Sequence, residues 1–327
     1  MKNNIIENNM SIGTPSLPLS IVIPVYNAEK TVSRLVDELI KVLNLHYKLE
    51  IVLVNDNSVD RSEEVCISLF EKYKKIVKFY SLSKNVGEHG AVMAGLNKTT
   101  GNYVVIMDDD FQNPISEVVK LVNKALENDY DVVYSYYEKK RHSLFRNFGS
   151  RFNDSVANFM LKKPKDLYLS SFKVLNKFLV NEITKYQGPF PYIDGLILQI
   201  TDKIGKVKVE HQVRREGRSG YTMKKLLSLW LNMFTSFSIL PLRISIIMGF
   251  IFSLFGVVLG IDVVVEKLLK PDIPIGYTSL FVVVSVFAGV QLIMLGMVGE
   301  YIGRIFLSLN KRPQYTIKKI YEYHDEN

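Results

Sequence analysis

The sequence predicts an α/β protein: a mostly parallel sheet with helices on both faces, followed by an amphipathic juxtamembrane helix and two transmembrane helices. Three observations carry that expectation. Short β-branched runs alternate with longer amphipathic stretches from residue 19 to about residue 136, the residues directly after each run are polar or turn-forming, and almost all uncharged apolar runs lie beyond Pro241. Such alternation means βαβ units and a parallel sheet covered by helices. A length of 327 residues allows one large domain plus an appendage.

Taken in order, residues 1–18 are polar, rich in Asn and Ser and without an apolar core, so they read as a disordered leader and not as a signal sequence. Strands are expected at 20–24, 50–55, 77–81 and 103–107, with helices such as 31–43 and 115–128 after them, inside a cytoplasmic domain spanning 19–221. Residues 222–240 set Leu226, Leu227, Trp230, Leu231, Phe234 and Phe237 behind Lys224 and Lys225, the pattern of a helix lying in the headgroup layer; an ordinary core helix is the alternative. Spans are expected at 244–265 and 277–298 within a two-helix anchor covering 241–304, each about 22 residues or roughly 33 Å as helix. Charges cancel in the turn between them, whereas Lys224, Lys225 and Arg243 precede the pair and Arg304, Lys311, Arg312, Lys318 and Lys319 follow it. By the positive-inside rule both chain ends are cytoplasmic, and 305–327 reads as a basic cytoplasmic tail.

Composition excludes whole classes. With 23% charged and 47% hydrophobic residues, the chain is neither intrinsically disordered nor collagen-like. One cysteine, Cys66, makes neither an intramolecular disulfide nor a cysteine-rich zinc site, which fits a reducing compartment; it reads as a small buried apolar side chain. The 41 Lys and Arg against 33 Asp and Glu give +8, a surplus that suits nucleic acid, an anionic membrane or a phosphorylated substrate. No nucleic-acid-binding motif accompanies the basic segments, so nucleic acid is not expected as a partner.

In parallel α/β sheets ligands bind beyond the carboxyl ends of the strands. The turns there contain Pro24, Tyr26 and Asn27; Asp56, Asn57 and Ser58; Asn85 to His89; and Asp108, Asp109, Asp110 and Gln112. The first turn has no glycine, so it lacks the dinucleotide fingerprint that brings backbone close to a pyrophosphate. Three consecutive carboxylates at a strand end repel one another unless a divalent cation sits among them. Alternation puts Asp108, Asp110 and Gln112 on one side, a half-shell suited to Mg2+ or Mn2+ sharing the oxygens of a diphosphate, with Asp109 on the other.

Together these residues resemble glycosyltransferase family 2 on the GT-A, Rossmann-like fold. The opening Ile21-Val22-Ile23-Pro24-Val25-Tyr26-Asn27, the turn Val54-Asn55-Asp56-Asn57-Ser58-Val59-Asp60 and the triplet Asp108 to Asp110 match in order and spacing. Asn85-Val86-Gly87-Glu88-His89-Gly90-Ala91, Asp110-Phe111-Gln112-Asn113-Pro114 and Gly299-Glu300-Tyr301-Ile302-Gly303-Arg304 resemble the polyprenyl-phosphate glycosyltransferases, among them dolichyl-phosphate mannose synthases, undecaprenyl-phosphate glucosyltransferases and the enzyme that loads formyl-aminoarabinose onto undecaprenyl phosphate.

The resemblance implies inverting, metal-dependent transfer from a nucleotide sugar, a UDP-sugar by expectation, to a polyprenyl phosphate at the bacterial inner membrane, making a lipid-linked monosaccharide for the cell envelope. It implies that Asp56 meets the uracil, that Pro24, Tyr26, Asn27, Asn85, His89, Asp108 and Asp109 line the nucleotide-sugar pocket, and that Asp108, Asp110 and Gln112 hold the cation. Arg146 and Ser150 have the spacing at which the family binds lipid phosphate. Residues 214–221, with Arg214, Arg218, Ser219 and Tyr221, resemble its acceptor loop, although Gly220 stands where the family has Lys. Asp110 and Asp194 are the candidate catalytic residues, Asp194 as a base if one assists. Relatives with this architecture form homo-tetramers, so a homo-oligomer is expected.

Two other readings stay open. One is a membrane-anchored nucleotide-sugar-binding or scaffolding protein without turnover. The other is a processive polysaccharide synthase, which would need a Gln-x-x-Arg-Trp motif that the sole tryptophan, Trp230, does not supply.

Overall fold

A computed structural model describes residues 17–111, 113–137, 164, 167–210, 240–269, 276–310 and 312–323. Two compact units emerge, one of Met1–Gly220 with Pro313–Asn327 and the other of Tyr221–Arg312.

In the first unit the elements run β1 (Leu17–Val25), α1 (Val32–Leu43), β2 (Tyr47–Asn55), α2 (Ser62–Lys72), β3 (Val77–Leu82), α3 (Glu88–Leu96), β4 (Tyr103–Ile106), α4 (Ser116–Asn128) and β5 (Val132–Tyr136). They continue with β6 (Lys173–Asn176), α5 (Lys177–Ile183), α6 (Ile193–Ile200), β7 (Ile204–Lys208) and, after the second unit, β8 (Ile317–Tyr321). One eight-stranded sheet results, in the order β7-β5-β6-β4-β1-β2-β3-β8. β1, β2, β3 and β4 pair in parallel, whereas β6 runs antiparallel to β4 and β5, and β8 antiparallel to β3.

The central strand is apolar on both faces, as a sheet covered on both sides requires. Leu19, Ile21 and Ile23 of β1 share a core with Val32, Leu35, Val36, Leu39 and Leu43 of α1, Leu69 of α2 and Val118, Leu121 and Val122 of α4. Those α1 positions recur at helical spacing, and Arg34 pairs with Glu38 at 2.8 Å on its exposed face. Val22 points to the opposite face, where a Cβ on Gly95 would come within 2.4 Å of its Cγ1. Only glycine lets α3 lie that close to the sheet.

The C-terminal segment differs from the expected basic tail. Tyr321 stacks on Phe79 at 5.6 Å and packs against Phe70, and the Ser83 N–H donates to the Thr316 carbonyl at 2.9 Å. Aromatic burial on the inner face offsets the polarity of Lys318 and Lys319 and makes a strand of a charged pentapeptide. The leader also ends early, since Leu17 and Pro18 already belong to β1.

The second unit contains α7 (Leu240–Leu269) and α8 (Tyr277–Leu309), longer than the expected spans. Leu242–Glu266 and Val286–Leu309 are long and apolar enough to cross a membrane, with mean hydropathies of 2.6 and 1.6. Phe252 and Phe287 meet edge to face at 6.1 Å between the two helices. The expected juxtamembrane helix lies outside the described residues.

Candidate active site

Because β1 to β4 are parallel, their following turns gather at one edge of the sheet. Asn27 and Asn57 both adopt left-handed backbone, φ 55° and 53°, which asparagine tolerates better than most residues. The Asn27 N–H donates to Ser58 Oγ at 3.0 Å and the Val59 N–H donates back to Asn27 Oδ1 at 3.0 Å, which locks the first turn to the second. Tyr26 exposes its ring, and its N–H reaches Asp109 Oδ2 at 3.4 Å, tying the first turn to the fourth. Pro24, half-buried, lies opposite Val54, with the buried Val25 closing β1 after it.

Asp56 is buried, and both of its carboxylate oxygens are engaged: Oδ1 accepts from the Val86 N–H at 2.7 Å and Oδ2 from the Gly87 N–H at 2.9 Å. Asn85 Nδ2 donates to the Asp56 carbonyl at 3.2 Å. Burial pushes the carboxyl upward while the two N–H groups oppose it. In the folded chain Asp56 thus holds the third turn to the second. Gly87 sits at φ 84°, a conformation that L side chains rarely adopt.

At the end of β4, the Asp108 carboxylate accepts from Ser171 Oγ at 2.6 Å. Burial, then the negative charges of Glu88 and Asp110, push its pKa up to about 6, against the Ser171 bond and the Lys173 charge. Excess negative charge at a half-buried strand end is the condition a cation relieves. Among the described residues no three His, Cys, Asp or Glu side chains close a cage. The charges of Glu88 and Asp110 act on Asp108, and carboxylates are a donor set that fits an ion such as Mg2+ or Mn2+, which keeps waters and takes diphosphate oxygens. Phe111 follows at φ 59° beneath the Arg34 guanidinium at 5.3 Å. Left-handed backbone in a bulky residue costs about 1–2 kcal/mol, so the acidic turn holds its shape under strain.

Near these acids lies a buried ion pair that the sequence did not reveal. Lys173 on β6 contacts Asp194 on α6, and Tyr134 OH donates to the same Asp194 oxygen at 2.8 Å. Its two partners fix this carboxylate in the interior, which argues against the candidate base and for an anchor. His89 sits edge to face with Tyr192 at 5.0 Å, its pKa lowered by burial. Thus α3, β4, β6 and α6 meet at the acidic turn. Gln112, Arg146, Ser150, Arg214, Arg218, Ser219 and Tyr221 lie outside the described residues.

Residues 20–184 match the Glycosyl transferase family 2 pattern. The chain belongs to that family. This glycosyltransferase is 31% identical over 316 residues to the undecaprenyl-phosphate 4-deoxy-4-formamido-L-arabinose transferase of Yersinia pestis (strain Pestoides F), covering 95% of this chain and 96% of the relative. It is 30% identical over 305 residues to the enzyme of the same name from Photorhabdus laumondii, covering 92% and 94%. Glucosyl-3-phosphoglycerate synthase from Mycobacterium tuberculosis, solved with Mn2+, UDP-glucose and phosphoglyceric acid, superposes with a TM-score of 0.51 at 17% identity, covering 67% of this chain and 77% of that one. That likeness is one of fold, and it identifies the sheet of the glycosyltransferase as GT-A. The turns that carry its acids fall inside the family match.

Proposed function

We propose that this glycosyltransferase moves a sugar from a UDP-sugar to undecaprenyl phosphate, with inversion and with Mg2+ or Mn2+, at the cytoplasmic face of a bacterial inner membrane. The product would be a lipid-linked monosaccharide for envelope or lipopolysaccharide modification, and the first donor to test is the formamido-pentose named for the relatives. The acidic turn at the end of β4 carries this reading. Asp108 and Asp110, with Gln112, would hold the cation, which when bound neutralises the departing diphosphate.

A phosphate monoester has a second pKa near 6, so the lipid phosphate is already a nucleophile at neutral pH. Its oxygen forms a bond to the anomeric carbon as the bond from that carbon to the diphosphate breaks, and UDP leaves with the electron pair. No proton has to be removed. Asp194 therefore serves as an anchor through Lys173 and Tyr134, while Arg146, Ser150, Arg214, Arg218, Ser219 and Tyr221 would bind the lipid phosphate. Asp56, Asn85 and the Tyr26–Asn27 turn would bound the nucleotide; each Asp56 oxygen keeps a second lone pair for a uracil N–H.

Connectivity supports the membrane arrangement. The chain leaves the sheet-bearing unit for α7 and α8 and returns to pair with β3, so if both helices cross, the segments before and after them would lie on one side. A homo-oligomer, a tetramer by family resemblance, belongs to the same proposal. Mass spectrometry of the lipid product formed with a panel of UDP-sugars, with and without Mn2+, tests the reading. A glycosyl-phospholipid that needs the metal supports it, and no product or UDP release with any donor overturns it in favour of a binding protein.

A further inference from the structure

β8 is the part of the sheet that follows α7 and α8 in the chain, and one of its side chains reaches the first turn of α2, just beyond the second of the strand-end turns. Lys319 Nζ meets Glu63 Oε1 at 2.5 Å. The other oxygen of Glu63 accepts from Ser81 Oγ at 2.6 Å and from Asn55 Nδ2 at 3.3 Å, and Asn55 Nδ2 also donates to Ser81 Oγ at 3.1 Å. With its amide nitrogen spent on those two acceptors, Asn55 presents Oδ1 to the Ser58 N–H at 3.1 Å. Ser58 Oγ in turn accepts from the Asn27 N–H, next to the Tyr26 N–H that reaches Asp109. Hydrogen bonds linked through the Ser58 side chain and the Tyr26–Asn27 peptide thus run from Lys319 on β8, through the second and first turns, to the acidic turn. Asn55 directly precedes Asp56, and Asn57 holds left-handed backbone, so the Asn55 amide bonds at once to Glu63 and Ser81 and to the backbone of this turn.

We propose that Lys319 is a positioning residue for the nucleotide pocket, acting through Glu63 and Asn55, so that the strand returning from the membrane hairpin sets the conformation of the donor-binding turns. This rests on the UDP-sugar reading for what the pocket binds, but the relay itself is testable without substrate.

The experiment uses the full chain in lipid nanodiscs, as wild type, Lys319→Met, Lys319→Arg and Glu63→Gln, with Lys203→Met as the control that breaks the 2.6 Å pair to Asp129 near β7. Peptide-resolved hydrogen exchange is followed over 26–31 and 55–60. Loss of a charge-assisted anchor should speed exchange there by about tenfold in Lys319→Met and Glu63→Gln, with α4 unchanged and Lys319→Arg close to wild type. With UDP-sugar and polyprenyl phosphate, the donor KM should rise by about tenfold while kcat and the acceptor KM hold. Faster exchange confined to β3 and β8, spread over the whole sheet, or matched at 26–31 and 55–60 by the control overturns the proposal, as does an unchanged donor KM. If wild type makes no product with any UDP-sugar, the function reading fails, and the exchange pattern alone still decides the relay.

Discussion

Two carboxylates at opposite ends of the parallel strands meet opposite fates. Glu50, near the N-terminal edge, accepts from Ser20 Oγ, from the Thr100 N–H at 2.9 Å and from Thr100 Oγ1 at 2.9 Å, and pairs with Lys78 at 2.7 Å. Burial works against its ionisation, yet Lys78, Ser20 and Thr100 together hold it below the usual carboxylate range. Asp108, at the C-terminal edge, has one hydroxyl donor and two negative neighbours and is pushed up to about 6. A charge whose partners are all supplied by the chain ties strands together. One left short of positive partners is available to something from outside.

The sharpest way to break the comparison is at the ion pair behind the acidic turn. Lys173→Met leaves Asp194 buried beside a single hydroxyl and should cost about 3–5 kcal/mol of stability, whereas Lys173→Met combined with Asp194→Leu should recover most of it. Chemical denaturation followed by tryptophan-independent circular dichroism measures both. Next, Asp110→Asn should lower turnover by about 100-fold or more with the thermal midpoint preserved, read as UDP release and melting on the same preparation; Asp194→Asn should spare far more turnover than Asp110→Asn does. At the other edge, Glu50→Gln should do the reverse, lowering stability by about 1–3 kcal/mol with turnover per folded molecule intact. The smallest effect is in pH. A carboxyl with a lowered folded pKa contributes its full stability above the unfolded value near 4.3, and loses it as pH falls through the lower folded value. Glu50→Gln should therefore flatten the acid limb of the stability profile below about pH 5.

Legibility in the sequence followed the range of the interactions. β1 to β4, α1 and α4 are local patterns of alternation and helical spacing, and each lies within a few residues of its expected bounds. β6, β7 and β8 were not legible, because Lys173–Asn176, Ile204–Lys208 and Ile317–Tyr321 are short and charged and become strands only through partners far away in sequence. The site divides in the same way. The acidic triplet and the asparagine turns were readable as motifs, whereas Lys173 with Asp194, Ser171 with Asp108 and Glu88 beside them are pairings that only the folded sheet brings about. Left-handed Phe111 carried no signal either, since nothing in a phenylalanine announces that backbone.

The place of β8 also bears on how the protein is made. A ribosome delivers β1 to β7 first, then both apolar helices, and only afterwards the five residues that close the sheet beside β3. Until β8 has been made, the edge of β3 is open and Tyr80 and Phe79 lack Glu322 and Tyr321. Synthesis thus completes the sheet last, after both apolar helices, and a chain stopped before β8 carries an unfinished sheet.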